Sequence, residues 1–234
     1  MITVVDINFF SHEKETKCAL SIANTSDFCL ENLYAELSND ELKKLHSVGI
    51  EKRKKQYCLG RITTKKALGS FVEDLAFEKI NVVNEKSGCP IIENSDYSTS
   101  ITHTDKIVAS LVFENKFSFG IDIEEIKREK IEALSSVICN REPIPHDPER
   151  LTVAWTLKET LSKALKCGFY MAFENFELSE FSENDQIFIC SYLKYPEFKG
   201  IAFIHENNSY AVTYPTNIEK FQESYLKNFM SIVV

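Results

Sequence analysis

The 234-residue sequence has little that would hold a chain open or cross-link it. Its 7 glycines and 6 prolines are too few for long flexible or extended linkers, which excludes disorder as a general description. The 7 cysteines (Cys18, Cys29, Cys58, Cys89, Cys139, Cys167, Cys190) are odd in number and include no C-x-x-C pair. Reduced thiols are therefore expected rather than a disulfide framework or a zinc site. There is no run of about 18 apolar residues, and the short apolar stretch at Ile2–Val5 has no basic segment ahead of it. Both absences point to a cytoplasmic, unanchored chain. A G-x-x-x-x-G-K-[ST] loop is missing too, which counts against a nucleotide hydrolase of that type.

What is present is ordinary in bulk and uneven in detail. With 44% hydrophobic and 26% charged residues, and 17 Phe and 9 Tyr, the chain has ample core material for one large domain or two small ones. The formal net charge of −8 argues against broad nucleic-acid binding. Between Asp40 and Lys66, however, nine basic residues, Arg53 and Arg61 among them, stand against three acidic ones. A compact polyanion would suit this excess, and a solvated helix face would give the same count.

The chain also echoes itself. Lys66-Ala-Leu-Gly-Ser-Phe71 is similar to Lys163-Ala-Leu-Lys-Cys-Gly-Phe169, and Ile101-Thr-His-Thr-Asp-Lys-Ile-Val-Ala109 to Phe203-Ile-His-Glu-Asn-Asn-Ser-Tyr-Ala211. Two related α/β subdomains, residues 1–117 and 118–234, with a ligand cleft between them are expected. Strand-like runs occur at 2–10, 18–23, 80–84, 98–102, 107–114, 118–123, 187–193, 200–204 and 210–214. Helical patterns occur at 39–48, 50–71, 131–138 and 148–166, with Pro143, Pro145 and Pro148 marking a loop before the last. This order gives an α+β class rather than a regular βαβ repeat.

Two constellations carry chemistry. In Gly120-Ile-Asp-Ile-Glu124 the strand alternation puts Asp122 and Glu124 on one face, where two carboxylates suit a hard cation such as Mg²⁺. An edge strand with a solvated acidic face has the same pattern. In the 148–166 helix, Leu157, Leu161, Ala164 and Leu165 form an apolar stripe, and Glu159 and Lys163 project from the other side. That pair reads as a surface ion pair unless its face is covered, and Trp155, one turn earlier on the same side, suggests cover by protein or ligand. His103 lies between Thr102 and Thr104 at a predicted strand end, suited either to a structural role or to hydrogen bonding a phosphate.

Taken together, these pieces resemble one family. Gly120-Ile-Asp-Ile-Glu124 followed by Trp155-Thr-Leu-Lys-Glu-Thr-Leu-Ser-Lys163 is similar to the paired signatures of 4′-phosphopantetheinyl transferases of the surfactin (Sfp) type, G-[IV]-D-[IV]-E and [FW]-x-x-K-E-[SA]-x-x-K. The basic run ending in Gly60-Arg61, the Thr102-His-Thr104 segment and Gly88-Cys-Pro90, where G-K-P is usual, follow the family order over roughly residues 38–215. The resemblance implies a pseudo-twofold pair of α/β subdomains with the active site in the cleft between them. It implies transfer of the phosphopantetheine arm of coenzyme A to a serine of an acyl or peptidyl carrier protein, with release of adenosine 3′,5′-bisphosphate. The enzyme is expected to be a monomer with no nucleic-acid or membrane partner.

By the same resemblance Asp122, Glu124 and Glu159 bind Mg²⁺, Glu159 is the base toward the carrier serine, and Lys163 pairs with the bridging phosphates. His103, Thr102, Arg53 and Arg61 contact coenzyme A, and residues 1–117 supply the basic helix. Residues 118–234 supply the metal and catalytic motifs and the carrier docking segment, about Cys167–Tyr192, in which Phe169-Tyr-Met-Ala-Phe173 offers apolar contacts or core packing. Cys89 departs from the family lysine and removes one phosphate-pairing cation, unless Lys86 replaces it. The alternative is a silent protein that binds coenzyme A or a carrier without transfer.

Overall fold

Residues Ile2–Ser11 (β1) and Lys14–Asn24 (β2) form an antiparallel hairpin that opens a six-stranded sheet. The computed structural model describes residues 1–12, 14–138 and 141–233, with the side chains of Phe169 and Val233 outside the description. Cys139, counted above among the thiols, lies outside the described residues, and the other six cysteines are free. After β2 come Leu30–Leu33 (α1), Asn39–His46 (α2) and Glu51–Leu68 (α3), then Val82–Asn84 (β3), Pro90–Ile92 (β4), Tyr97–His103 (β5) and Ile107–Glu114 (β6). Next are Gly120–Glu125 (β7), Ile131–Val137 (α4), Pro148–Ala164 (α5), Leu178–Asn184 (β8), Ile187–Tyr192 (β9), Phe198–His205 (β10), Asn208–Pro215 (β11) and Phe221–Val233 (α6). Among the described residues no helix is long and apolar enough to cross a membrane.

The first sheet runs β1-β2-β6-β5-β4-β3 and the second β7-β11-β10-β9-β8. With β1 set aside, each follows one plan: a leading strand, a long helix, then four strands of which the last returns beside the first. The class is thus α+β with two related halves, and the echo has a structural meaning. Its first pair of segments closes α3 and α5, and its second pair forms the β5–β6 and β10–β11 hairpins. The shared His-to-Ala spacing is not kept in register, because the turns differ in length. His205 pairs with Asn208 and Ala211 with Ala202, whereas His103 pairs with Val108 and Ala109 with Thr102.

Local chemistry sets the helices. Ser38 and Glu41 make a reciprocal capping box on α2, and Asp147 caps α5 by accepting from Glu149 N and Arg150 N, with Pro148 just inside the helix. Each half also carries a fully buried ion pair that fastens its long helix to the strand after it. Lys65 on α3 meets Glu41, whose second oxygen accepts from Val82 N at the start of β3. Lys158 on α5 meets Glu142, whose second oxygen accepts from Leu178 N at the start of β8. Removing one member of such a pair strands the other in low dielectric, a loss of about 3–5 kcal/mol.

α1, β4, β8 and α6 lie where the sequence suggested no element. The segment after residue 215 forms α6, whose Phe221, Tyr225 and Phe229 join Phe9 and Phe119 in a core built from both sheets. Its aromatic content disguised the i, i+4, i+8 helical spacing. β8 shows no apolar alternation, being exposed over most of its length, and is an edge strand held by its ladder to β9.

Candidate active site

β7 is an edge strand whose free side meets β5 of the other sheet through side chains instead of a backbone ladder. Ser98, Ser100 and Thr102 alternate along one face of β5. Ser100 Oγ accepts from Ile121 N at 3.1 Å and Thr102 Oγ1 from Ile123 N at 3.1 Å. The Thr102 hydroxyl donates to Asp122 Oδ1 at 2.7 Å. The resemblance gave Thr102 to coenzyme A; its buried hydroxyl is already committed to Asp122 and β7, so it positions the carboxylate.

The glycine of the G-I-D-I-E segment is required by α5. A Cβ on Gly120 would lie 1.9 Å from Thr160 O and 2.7 Å from Ala164 N, so only glycine lets β7 approach this helix. That approach sets Lys163 against Asp122. Lys163 Nζ donates to Asp122 Oδ1 at 2.7 Å, to Ile121 O at 3.1 Å and to Ile101 O at 3.3 Å. It therefore binds β5 and β7 together while neutralising a carboxylate that is only 6% exposed.

Glu159 lies one turn before Lys163 and lines, with Lys163, Ile101, Cys89 and Lys166, a cavity of about 230 Å³. Burial, followed by the charges of Asp122 and Glu124, pushes its carboxyl up to about 7. Burial and then Asp122 also raise Glu124, against the Lys130 ammonium 3.5 Å away and a hydrogen bond from Trp155. Trp155 is stacked on Phe173 at 4.5 Å. The cover expected over this face is thus Phe173, which is partly buried against the core, whereas Tyr170 of the same aromatic run is 77% exposed.

Arg53, Arg61 and His103 line a second depression of about 650 Å³ that shares Ile101 with the first. His103 and Arg53 also border a third of about 390 Å³ that includes Glu124. Packing beneath the ring, then the Lys163 ammonium, lowers the proton affinity of His103, and its open outer side lets solvent offset part of that. Arg61 is 8% exposed, stacks on Tyr57 at 4.0 Å and donates to Asn84 Oδ1, while its Nε has no partner. The basic segment is less free than its count suggested. Lys65 is buried on Glu41, and Lys43, Lys52 and Lys66 pair with Asp40, Asp105 and Glu36.

The site therefore joins residues from both sheets, and family comparisons cover both. A family model described as the 4′-phosphopantetheinyl transferase superfamily matches residues 118–215, and one described as the 4′-phosphopantetheinyl transferase N-terminal domain matches residues 43–113. The chain belongs to the 4′-phosphopantetheinyl transferase superfamily. Holo-[acyl-carrier-protein] synthase of Staphylococcus haemolyticus (strain JCSC1435) is 37% identical over 87 residues, 34% of this chain and 73% of that protein.

Asp122, Glu124 and Glu159 bring three carboxylates into one electrostatic neighbourhood. Among the described residues no three His, Cys, Asp or Glu side chains converge closely enough to hold a metal as they stand. Yet Asp122 Oδ2 is buried without a hydrogen-bond partner among the described residues, and the Asp122 charge raises both Glu124 and Glu159. A buried, unpartnered carboxylate oxygen in the field of two further carboxylates is a hard, anionic donor set that fits Mg²⁺. Sequence reasoning missed the roles of Thr102 toward Asp122 and of Trp155 toward Glu124. The period-two hydroxyls of β5 were the signal for the first.

Proposed function

We propose that this transferase moves the 4′-phosphopantetheine arm of coenzyme A onto a serine of an acyl or peptidyl carrier protein. The observation that carries the reading is the placement of Glu159 beside Lys163, which is bound to Asp122, in the cavity where the two halves meet. A serine hydroxyl is a weak nucleophile, and a nearby carboxylate assists it as a base. The serine oxygen forms a bond to the pantetheine-side phosphorus as the bond to the bridging oxygen breaks. The serine proton passes to Glu159, directly or through water, and adenosine 3′,5′-bisphosphate leaves.

Asp122, Glu124 and Glu159 would hold Mg²⁺, which when bound supplies positive charge to the pyrophosphate. Thr102 and Lys163 fix the Asp122 carboxylate, and Trp155 lies beside Glu124. Arg53, Arg61 and His103 border the depressions that would take the nucleotide end, consistent with a charge-matched phosphate site. In this division residues 1–117 contribute the coenzyme A contacts and 118–234 the catalytic motifs and carrier docking. The transferase would act as a monomer in the cytoplasm, since one chain supplies every proposed group and its described cysteines are free.

Incubating the protein with coenzyme A, Mg²⁺ and a panel of apo carrier proteins, followed by intact-mass measurement, tests this. The expected result is a carrier heavier by one phosphopantetheine arm. Coenzyme A binding with no mass gain on any carrier would instead establish the silent binding protein.

A further inference from the structure

Cys89 leaves the cavity wall without the lysine that the family pattern places there, and Lys86 was the nearby candidate to replace it. The Lys86 side chain does not line the cavity, and its carbonyl accepts from Tyr170 Oη at 3.2 Å. A different lysine does line it. Lys166 shares the cavity with Cys89, Glu159 and Lys163, and its Nζ reaches across to the other half, donating to Ser98 Oγ at 3.1 Å. The Ser98 hydroxyl gives its own proton to Asn115 Oδ1 at 2.7 Å, so it meets Lys166 as an acceptor. Two of the three ammonium protons remain for a ligand.

The backbone makes this lysine unexpected. Lys166 follows the last turn of α5 with φ 54°, and the bonds Lys166 N to Lys163 O and Cys167 N to Ser162 O close the helix in the manner that normally calls for glycine. The matching position in the first half, Gly69, is right-handed helical with φ −59°, so the left-handed helix end belongs to the second half. A strained, non-glycine helix end beside a site invites a functional reason. Charge supplies one. The Lys163 ammonium is already offset by Asp122, whereas Lys166 forms no ion pair among the described residues.

We infer that Lys166, not Lys86, provides the phosphate-pairing cation that Cys89 lacks, binding an oxyanion of the coenzyme A pyrophosphate from the C-terminal end of α5. This rests on the transfer reading above. A charged hydrogen bond of this kind changes affinity by about tenfold or more.

Coenzyme A binding by calorimetry and steady-state transfer to an apo carrier are measured for wild type, Lys166→Gln, Lys166→Gly, Lys166→Arg and Lys86→Ala. Lys166→Gln and Lys166→Gly should each raise Kd and KM for coenzyme A about tenfold. The glycine variant should also melt no lower than wild type, because it relaxes the helix end. Lys166→Arg should stay near wild type, and Lys86→Ala should be unchanged. Wild-type binding by the glutamine and glycine variants, or an equal loss in Lys86→Ala, overturns the assignment while leaving the transfer reading intact. A wild-type protein that neither binds coenzyme A nor modifies a carrier overturns both.

Discussion

An isolated glutamate ionises near 4.5, and Glu159 is pushed to about 7 by burial and by the carboxylates of Asp122 and Glu124. Below pH 4.5 this group is protonated in the folded and unfolded chains alike. Between there and about 7 the unfolded chain loses its proton first, so the stability associated with this carboxyl is present at low pH and lost as pH rises through 7. In metal-free buffer Glu159→Gln should therefore raise the unfolding free energy at pH 8 by up to about 3 kcal/mol, read by denaturant melt, and leave it unchanged at pH 4. Equal effects at both pH values would refute the electrostatic account. In the presence of Mg²⁺ and coenzyme A the same variant should lose about 100-fold or more in transfer rate. That Asp122, Glu124, Glu159 and Lys163 belong together was suggested by the family resemblance, since strand alternation and helical spacing alone left a solvated acidic edge and a surface ion pair as alternatives. Lys158 and Glu142 were not legible in the sequence, since a buried pair 16 residues apart looks like two ordinary surface charges until the fold joins them.

Elements obey tighter steric limits than the residues they display. Gly120→Ala should be among the most damaging small substitutions in the chain, because its methyl would fall on the backbone of α5. A loss of about 3 kcal/mol or more is expected, read as a fall in the urea midpoint, and a near wild-type midpoint would show that β7 can retreat from the helix. On α6 the opposite sign is expected. The Tyr225 hydroxyl is fully buried with no partner among the described residues, so Tyr225→Phe should stabilise the protein by about 1 kcal/mol, again by denaturant melt. The long helices α3 and α5 could be placed from sequence to within a few residues through their flanking turns and apolar positions. α6 and β8 could not, the first because its aromatics favour strands and the second because a solvated edge strand carries no alternating apolar face.

The whole molecule is a duplicated plan with one addition. The echo near residues 66 and 163 and near 101 and 203 revealed the duplication, and it could do so because those segments end equivalent helices and begin equivalent hairpins. It gave no sign that β1 and α6 would seal the two halves over a common core. The halves 1–117 and 118–234, expressed separately, should each expose that core and fail to show a cooperative melt, while coexpression should restore one. A cooperative melt of either half alone would show that the shared core is dispensable.

The seam between β1 and α6 has a consequence for biosynthesis. Asn228 Nδ2 donates to Asp6 O across 222 residues of chain, and Asn8 N donates to Ser224 Oγ across 216. At about 5–20 residues per second, a ribosome needs roughly 10–40 seconds between the strand and the helix that covers it. Through that interval the apolar side of the first hairpin, Ile7 and Phe9 included, waits without its partner. The nascent chain should thus depend on a holding chaperone more than the finished protein does, and slowing translation near the end should increase aggregation.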